Sequence, residues 1–204
     1  MNCYQQHIVP HLVNLAMRNR QLAPYRERVL AATAGRVLEI GAGAGANLKI
    51  YPAHVKEVFA LEPSAKLIQM ARRAAAASRV AVRLVEGSAE AIPLDRATVD
   101  TVVMTWTLCS IAEASQALGE MRRVLKPGGR LLFVEHGQSP EASVRKWQDR
   151  LTPLWKRFAG GCHLKRPIAA MLESAGFRVT QLTTGYMKGP KPMTFLYEGS
   201  ASSD

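Results

Sequence analysis

The sequence predicts an α/β fold, a seven-stranded and mostly parallel sheet with helices on both faces, preceded by two N-terminal helices. Three observations predict it. Short apolar runs recur along the chain, stretches with helical apolar spacing alternate with them, and a glycine-rich turn directly follows the first run. Strands that alternate with helices pair in parallel, because each crossover helix returns the chain to the same end of the sheet.

The leading segment carries apolar residues at helical spacing: Ile8, Leu12 and Leu15, then Leu22, Val29 and Leu30. This spacing predicts two helices, with Pro10 kinking or delaying the first. Arg36–Ile40, Glu57–Leu61, Ala81–Val85, Thr101–Thr105 and Arg130–Val134 are runs of the kind buried on both faces of a parallel sheet. Ser64–Ala77, with Ser64 as N-cap, and Glu113–Leu125 supply helices between them. A basic, tryptophan-containing helix is predicted over roughly Glu141–Phe158 and a short one over Lys165–Ser174. Closing strands follow over Arg178–Thr183 and Met193–Glu198, and the tail Ser-Ala-Ser-Ser-Asp is expected to fray. No linker or repeat divides the chain. Residues 1–204 therefore read as one domain, with lid helices over 1–34, a ligand-binding core over 35–136, and further helices and closing strands over 137–199.

The formal net charge of +11 is unevenly spread. Met1–Arg36 carries 5 basic and 1 acidic residues, Val37–Val144 carries 12 and 11, and Arg145–Asp204 carries 10 and 4. Such an excess attracts anions of any kind, and it equally fits a plain solvated surface. No motif of a known nucleic-acid module accompanies it, so nucleic acid is not the expected partner. Trp147, Arg150, Trp155, Lys156 and Arg157 admit three readings: a nucleic-acid face, contact with an anionic membrane, or a lid over a ligand. The cysteines Cys3, Cys109 and Cys162 are odd in number and form no C-x-x-C pair. Neither a disulfide framework nor a metal site is readable from them, and a reducing cytoplasm is the default. The N-terminus has no apolar stretch of signal-peptide or membrane-span length, which predicts a chain neither secreted nor inserted.

The strongest local signal is Val37-Leu38-Glu39-Ile40-Gly41-Ala42-Gly43-Ala44-Gly45-Ala46-Asn47, a strand, a glycine turn and an expected helix start. Glycines there permit positive φ and leave no Cβ to keep a ligand from the backbone. A helix N-terminus beyond would favour a polar or anionic ligand end. Gly41-x-Gly43-x-x-Ala46 also satisfies a dinucleotide fingerprint, which keeps a nicotinamide-dependent oxidoreductase open as a rival. Against it stand the two preceding helices and Glu39, two positions before the first glycine. The fifth strand is moreover introduced by Arg123-Val124-Leu125-Lys126-Pro127-Gly128-Gly129.

The pair E-I-G-A-G-A-G and R-V-L-K-P-G-G resembles the combined motifs of class I S-adenosylmethionine-dependent methyltransferases, which are Rossmann-like. Thr107–Ile111, Val134–His136 and Pro153–Arg166 narrow the resemblance to the methyltransferase-like thiol S-methyltransferases and their bacterial relatives. That likeness implies S-adenosylmethionine bound by Glu39, Gly41, Ala42, Gly43, Gly45 and Asn47 of the loop. It implies ribose recognition by Glu62, with Pro63 beside it, where the bland alternative is a solvated acid before a helix. Ser88, Ala89 and Glu90 would border the adenine, or else form a turn and helix start. Thr105 and Trp106 would lie beside the methionine end and Leu108 beside the adenine. Cys109 reads as a small buried hydrophobe. His136 and His163 are candidate bases for a protonated acceptor, or histidines that merely hydrogen-bond to loops. The implied reaction is in-line methyl transfer to a small acceptor with no metal required. A thiol is the first acceptor, and a phospholipid amine or isoprenoid quinone at a membrane is the alternative.

Overall fold

The computed structural model describes residues 8–203. Its first elements are α1 (Val9–Met17), a 3-10 turn at Arg20–Leu22 and α2 (Ala23–Ala31). Pro10 sits in the first turn of α1, where a missing N–H costs nothing, so it opens the helix rather than kinking it. The apolar face is reversed from expectation. Ile8, Leu12 and Leu15 are 49, 46 and 70% exposed, while Val9 and Pro10 are buried. The helix packs close to Gly160, where an added Cβ would lie 3.3 Å from Val9 Cγ1 and 3.8 Å from Val13 Cγ2. Cys3 lies outside the described residues.

The chain continues as β1 (Arg36–Ile40), β2 (Glu57–Glu62), α3 (Ala65–Ala76), β3 (Ala81–Glu86), β4 (Val99–Thr105) and a 3-10 turn at Leu108–Ser110. Then come α4 (Ala114–Val124), β5 (Leu125–His136), α5 (Ala142–Phe158), α6 (Ile168–Ser174), β6 (Arg178–Tyr186), α7 (Lys191–Thr194) and β7 (Phe195–Ser202). The seven strands form one sheet in the order β3-β2-β1-β4-β5-β7-β6, with β7 antiparallel to both its neighbours. The mostly parallel sheet is thus as the sequence predicts. The chain runs outward from β1 to β3, then resumes at β4 on the other side of β1. Ligands of open α/β sheets collect at such a reversal, beyond the carboxyl ends of the strands.

Side chains of β1 alternate between two apolar layers. Leu38 and Ile40 join Met104, Phe133 and residues of α4 such as Leu118 on one face. Val37 joins Val103, Val134, Leu30 and Leu48 on the other. β3 departs from the predicted double burial, because it is an edge strand whose residues are exposed or half-buried. The Lys-Pro-Gly-Gly segment is drawn into β5, and its register slips between Val99↔Leu125 and Thr101↔Arg130, as a bulge requires. Helix α3 keeps its predicted cap, with Leu67 N–H donating to Ser64 Oγ at 3.4 Å. Helix α6 starts at Ile168 rather than Lys165, since Pro167 holds a non-helical ψ of 80° as its N-cap. Of the tail expected to fray, Ser200, Ala201 and Ser202 belong to β7 instead, and Asp204 lies outside the described residues. Ser200, Ala201 and Ser202 pair with Leu132, Leu131 and Arg130, so both β5 and β6 take up their backbone groups.

Among the described residues, no helix is long and apolar enough to cross a membrane.

Candidate active site

Gly41, Gly43 and Gly45 all adopt left-handed backbone, at φ of 64°, 57° and 82°. The helix expected after them is absent. Leu48 N–H donates to Gly45 O at 3.2 Å and Ile50 N–H to Asn47 O at 2.9 Å, a run of tight turns that Pro52 closes. Side-chain ties override helix formation here. Asn47 Nδ2 donates to Glu39 Oε1 (2.9 Å) and Thr105 Oγ1 (3.1 Å), and Tyr51 Oη donates to Glu39 Oε2 (2.9 Å). No helix dipole therefore serves the loop, and its placement rests on individual bonds. Glu39 lies beneath it, 2% exposed, with both oxygens engaged. Burial raises its pKa to about 7 against the opposing pull of Tyr51 and Asn47. Ala42, also buried, donates its N–H to Leu61 O at 2.9 Å and so stitches the loop to β2.

Glu62 ends β2 and bridges to the loop. Its Oε2 accepts from Gly43 N–H at 2.9 Å and its Oε1 from Ser64 N–H at 3.0 Å, across the exposed Pro63. The carboxylate is 6% exposed, and burial raises its pKa despite these two bonds. Each oxygen keeps a second lone pair for a further donor. A Cβ on Gly43 would meet nothing closer than Gly41 O at 4.0 Å, so the face above this backbone is open. An open glycine cradle beside a carboxylate with acceptor capacity fits a nucleoside.

The other expected contacts are less direct. Ser88 hydroxyl is hydrogen-bonded to the Glu90 carboxylate, Glu90 O accepts from Gln116 Nε2 at 2.9 Å, and Ala89 packs in the core. These residues form the turn that was the bland alternative. Leu108, which the resemblance puts beside the adenine, is fully buried in the core cluster with residues of β1 and α4. Trp106 holds φ of 52°, a strained value for a side chain of its size. Its ring meets Tyr25 edge-on at 6.3 Å, with the Arg26 guanidinium 5.1 Å from its centroid, so α2 covers it. Thr107 was not singled out from the sequence. Its Oγ1 donates to Ile40 O at 3.0 Å and ties β4 to the start of the glycine loop. It opens the Thr107–Ile111 motif, but only the strand order gives it this role.

His136, at the end of β5, is 9% exposed, with Nε2 3.0 Å from Cys162 Sγ. Burial pulls its pKa down, but the Cys109 and Glu135 charges outweigh this and hold it above the usual value. His163 donates its backbone N–H to Cys109 O at 2.8 Å, while burial and the cations Arg166 and Lys156 lower its imidazole pKa. The cysteines that the sequence left apart, Cys109 and Cys162, are free thiols brought together beside His136. Their mutual hydrogen bond and the nearby imidazole push the Cys109 thiol down, while that hydrogen bond and burial push the Cys162 thiol up, so Cys109 ionises first.

Beneath this group, Glu135 Oε1 accepts from Thr107 N–H (2.7 Å) and Leu108 N–H (3.1 Å). Burial raises its pKa from 4.5 to about 8. The folded protein thus holds a proton that the unfolded chain releases above 4.5. Stability from this group is complete below 4.5 and is lost as pH rises toward 8. Glu135→Gln keeps the accepting oxygen and cannot ionise. Urea unfolding across about pH 5 to 8 will show the variant losing less stability than the parent as pH rises. Parallel curves would exclude a titrating Glu135.

Comparison with known proteins shows the family and the fold. Residues 38–133 match the methyltransferase domain family. The thiol S-methyltransferase TMT1B of Homo sapiens is 35% identical over 176 residues, 83% of this chain and 70% of that protein. The Rattus norvegicus form is 37% identical over 150 residues, 72% of this chain, and the match spans 61% of that protein's length. A demethylmenaquinone methyltransferase of Clavibacter sepedonicus is 32% identical over 123 residues, 60% of this chain and 50% of that protein. A Thermotoga maritima methyltransferase structure, 22% identical, superposes with a TM-score of 0.68 over 98% of this chain and all of that one, which speaks to the fold. The chain belongs to the class I S-adenosylmethionine-dependent methyltransferases, the family that includes the thiol S-methyltransferases it is similar to.

Proposed function

We propose that the protein transfers a methyl group from S-adenosylmethionine to a small thiol. The observation that carries the reading is the junction of Gly43 N–H with Glu62 Oε2 at the carboxyl ends of adjacent strands, under an open backbone cradle. The thiol acceptor is supported by the relatives at 35 and 37% identity, which are thiol S-methyltransferases. The donor's sulfonium supplies an electrophilic methyl carbon, so the protein's work is binding, orientation and exclusion of water. In this reading Glu62 accepts the ribose hydroxyls and the backbone at Gly41, Ala42, Gly43 and Gly45 lies against the donor. Glu39 and Asn47 brace that backbone from below. Thr105 and Trp106 border the reacting end, and Ser88, Ala89 and Glu90 flank the base through their turn. A base, His136 or His163, is called for only where the acceptor arrives protonated.

A methyl-transfer screen over alkyl thiols, amine lipids, phenols and quinones, read by mass spectrometry, tests the acceptor. Labelled thioether is the expected product. Labelled product only on oxygen, nitrogen or carbon would refute the thiol while sparing the family. Calorimetry should register S-adenosylhomocysteine and not NADH, against the oxidoreductase rival.

A peripheral membrane contact is favoured by one further observation. Trp147, Leu154 and Phe158 are 54, 60 and 54% exposed along one face of α5, beside exposed Lys146, Arg150, Lys156 and Arg157. Apolar stripes flanked by cations suit an anionic bilayer surface. The protein will float with phosphatidylserine-rich vesicles, and Leu154→Glu with Phe158→Glu will sharply reduce the floated fraction. Flotation unchanged by that pair would remove α5 from the contact.

A further inference from the structure

Three side chains that the sequence scatters are gathered at the carboxyl ends of β4 and β5. One ligand atom each from Cys109, His136 and Cys162 lies within 4.8 Å of the other two, and all three residues are buried. They come from three segments: the 3-10 turn after β4, the last residue of β5, and the loop after α5. Gly160 and Gly161, at φ of 61° and 85°, turn that loop back so that Cys162 faces the strand ends. His163 N–H then donates to Cys109 O at 2.8 Å, which locks the loop onto the turn.

The turn carrying Cys109 is held from two sides. Glu135 takes the N–H groups of Thr107 and Leu108, and the buried Arg166 guanidinium donates to Leu108 O at 2.7 Å and to Ile111 O. So many buried polar ties around a pair of thiols and an imidazole give a preorganised group. Its polar capacity is not used up, since His136 Nδ1 and Glu135 Oε2 are buried without a hydrogen-bond partner. Leu151, Trp155, Leu164 and Met193 wall the group with apolar surface.

We propose that Cys109, His136 and Cys162 bind a zinc ion with an open fourth position, and that this position takes the sulfur of the acceptor. The second clause rests on the thiol reading above; the first stands without it. Two cysteines and one histidine are a recognised donor set for zinc that keeps a coordination site open. Thiolates select zinc over magnesium, calcium or manganese. At Zn–S of about 2.3 Å and Zn–N of about 2.0 Å, tetrahedral ligand atoms stand roughly 3.5–3.8 Å apart. The three ligand atoms lie within 4.8 Å of one another, and His136 Nε2 and Cys162 Sγ, at 3.0 Å, would move slightly apart on binding. Binding releases two thiol protons and leaves zinc neutralised by two thiolates, a charge state suited to an apolar wall.

The acceptor step balances as follows. The incoming thiol loses its proton to solvent and bonds to zinc through sulfur. That sulfur's electron pair then forms the new S–CH3 bond while the donor's sulfonium–methyl bond breaks, its electron pair passing to the departing S-adenosylhomocysteine. The neutral thioether is a weaker ligand and leaves. His136 acts here as a ligand, and no general base is needed at this position.

The test uses the full chain, purified under reducing conditions, stripped with a chelator and refilled with zinc alone or with cobalt(II) alone. Mass-spectrometric metal analysis is expected to give one zinc per chain, and the cobalt form a thiolate-to-cobalt charge-transfer band. Cys109→Ser and Cys162→Ser should each abolish the band and the stoichiometric zinc, while Cys3→Ser keeps both. S-adenosylhomocysteine affinity reports whether each variant remains folded; should a variant fail to fold, the wild-type cobalt spectrum still decides. Absence of stoichiometric zinc and of the charge-transfer band in the reduced wild type overturns the metal site. If the stripped protein methylates thiols as fast as the refilled one, the acceptor role of the site falls while the thiol activity stands. If zinc binds and only non-thiol acceptors are methylated, the metal site stands and the thiol reading is the one that fails.

Discussion

Replacing Glu62 by glutamine will weaken binding of S-adenosylhomocysteine about 10- to 100-fold, the loss of one charge-assisted hydrogen bond at about 1.5–3 kcal/mol. The carboxylate accepts two backbone donors, Gly43 N–H and Ser64 N–H, one on each oxygen. A glutamine has only one oxygen. Its amide nitrogen must face one of those N–H groups donor to donor, so the variant loses either the anchor of the glycine loop or that of helix α3. The second lone pair on that oxygen, available to a ribose hydroxyl in the parent, is lost with it. Burial raises the Glu62 pKa, so the parent's affinity should itself begin to decline, as pH falls, above the ordinary carboxylate range. The variant carries no such titration. Isothermal calorimetry across that range measures both effects, and equal affinities for parent and variant would remove Glu62 from the ligand site.

How much of this was legible in the sequence depends on the range of the interaction. The strand runs were legible because burial on both faces leaves continuous apolar stretches, and Arg36–Ile40 matches β1 residue for residue. Ser64 was legible as a cap because capping is a contact over three residues. The helix after the glycine loop was a misreading with a specific cause. Glu39, 8 and 12 positions before Asn47 and Tyr51, holds both by side-chain bonds that no local pattern records. The exposure of Leu12 and Leu15 has a similar origin, since Val9 and Val13 dock against Gly160, far along the chain. Cys109 was read as a small hydrophobe and His136 as a candidate base, while Cys162 was given no role of its own. Their convergence follows from the β4–β5 pairing and the reversal at Gly160–Gly161, neither of which is a spacing motif. Arg166 and Gln148 were missed for the same reason. Gln148, fully buried in α5, accepts from Ser139 N–H and donates to Gly137 O, Leu164 O and Pro192 O.

The largest effect of any single substitution is expected at Gly41. Its φ of 64° already costs a residue with a Cβ about 1–2 kcal/mol. A Cβ there would also lie 2.4 Å from Thr107 Cγ2 and 2.8 Å from Thr107 Oγ1. Thr107 has little freedom to yield, because its Oγ1 is bonded to Ile40 O and its N–H to Glu135. Gly41→Val therefore strains the loop, the end of β4 and the turn bearing Cys109 together. We expect a loss of about 3–5 kcal/mol in stability, roughly 6–20 °C in Tm for a chain of this size, and no measurable S-adenosylhomocysteine binding. A milder series isolates the cause. Gly41→Ala should be partly rescued by Thr107→Ser, which removes the 2.4 Å contact but keeps the hydroxyl, giving a favourable coupling energy in the double-mutant cycle. Additive effects of the two changes would place the cost in backbone conformation alone. Thr107 would then be no more than a neighbour of the cradle, and the strain would stop short of the cysteine turn.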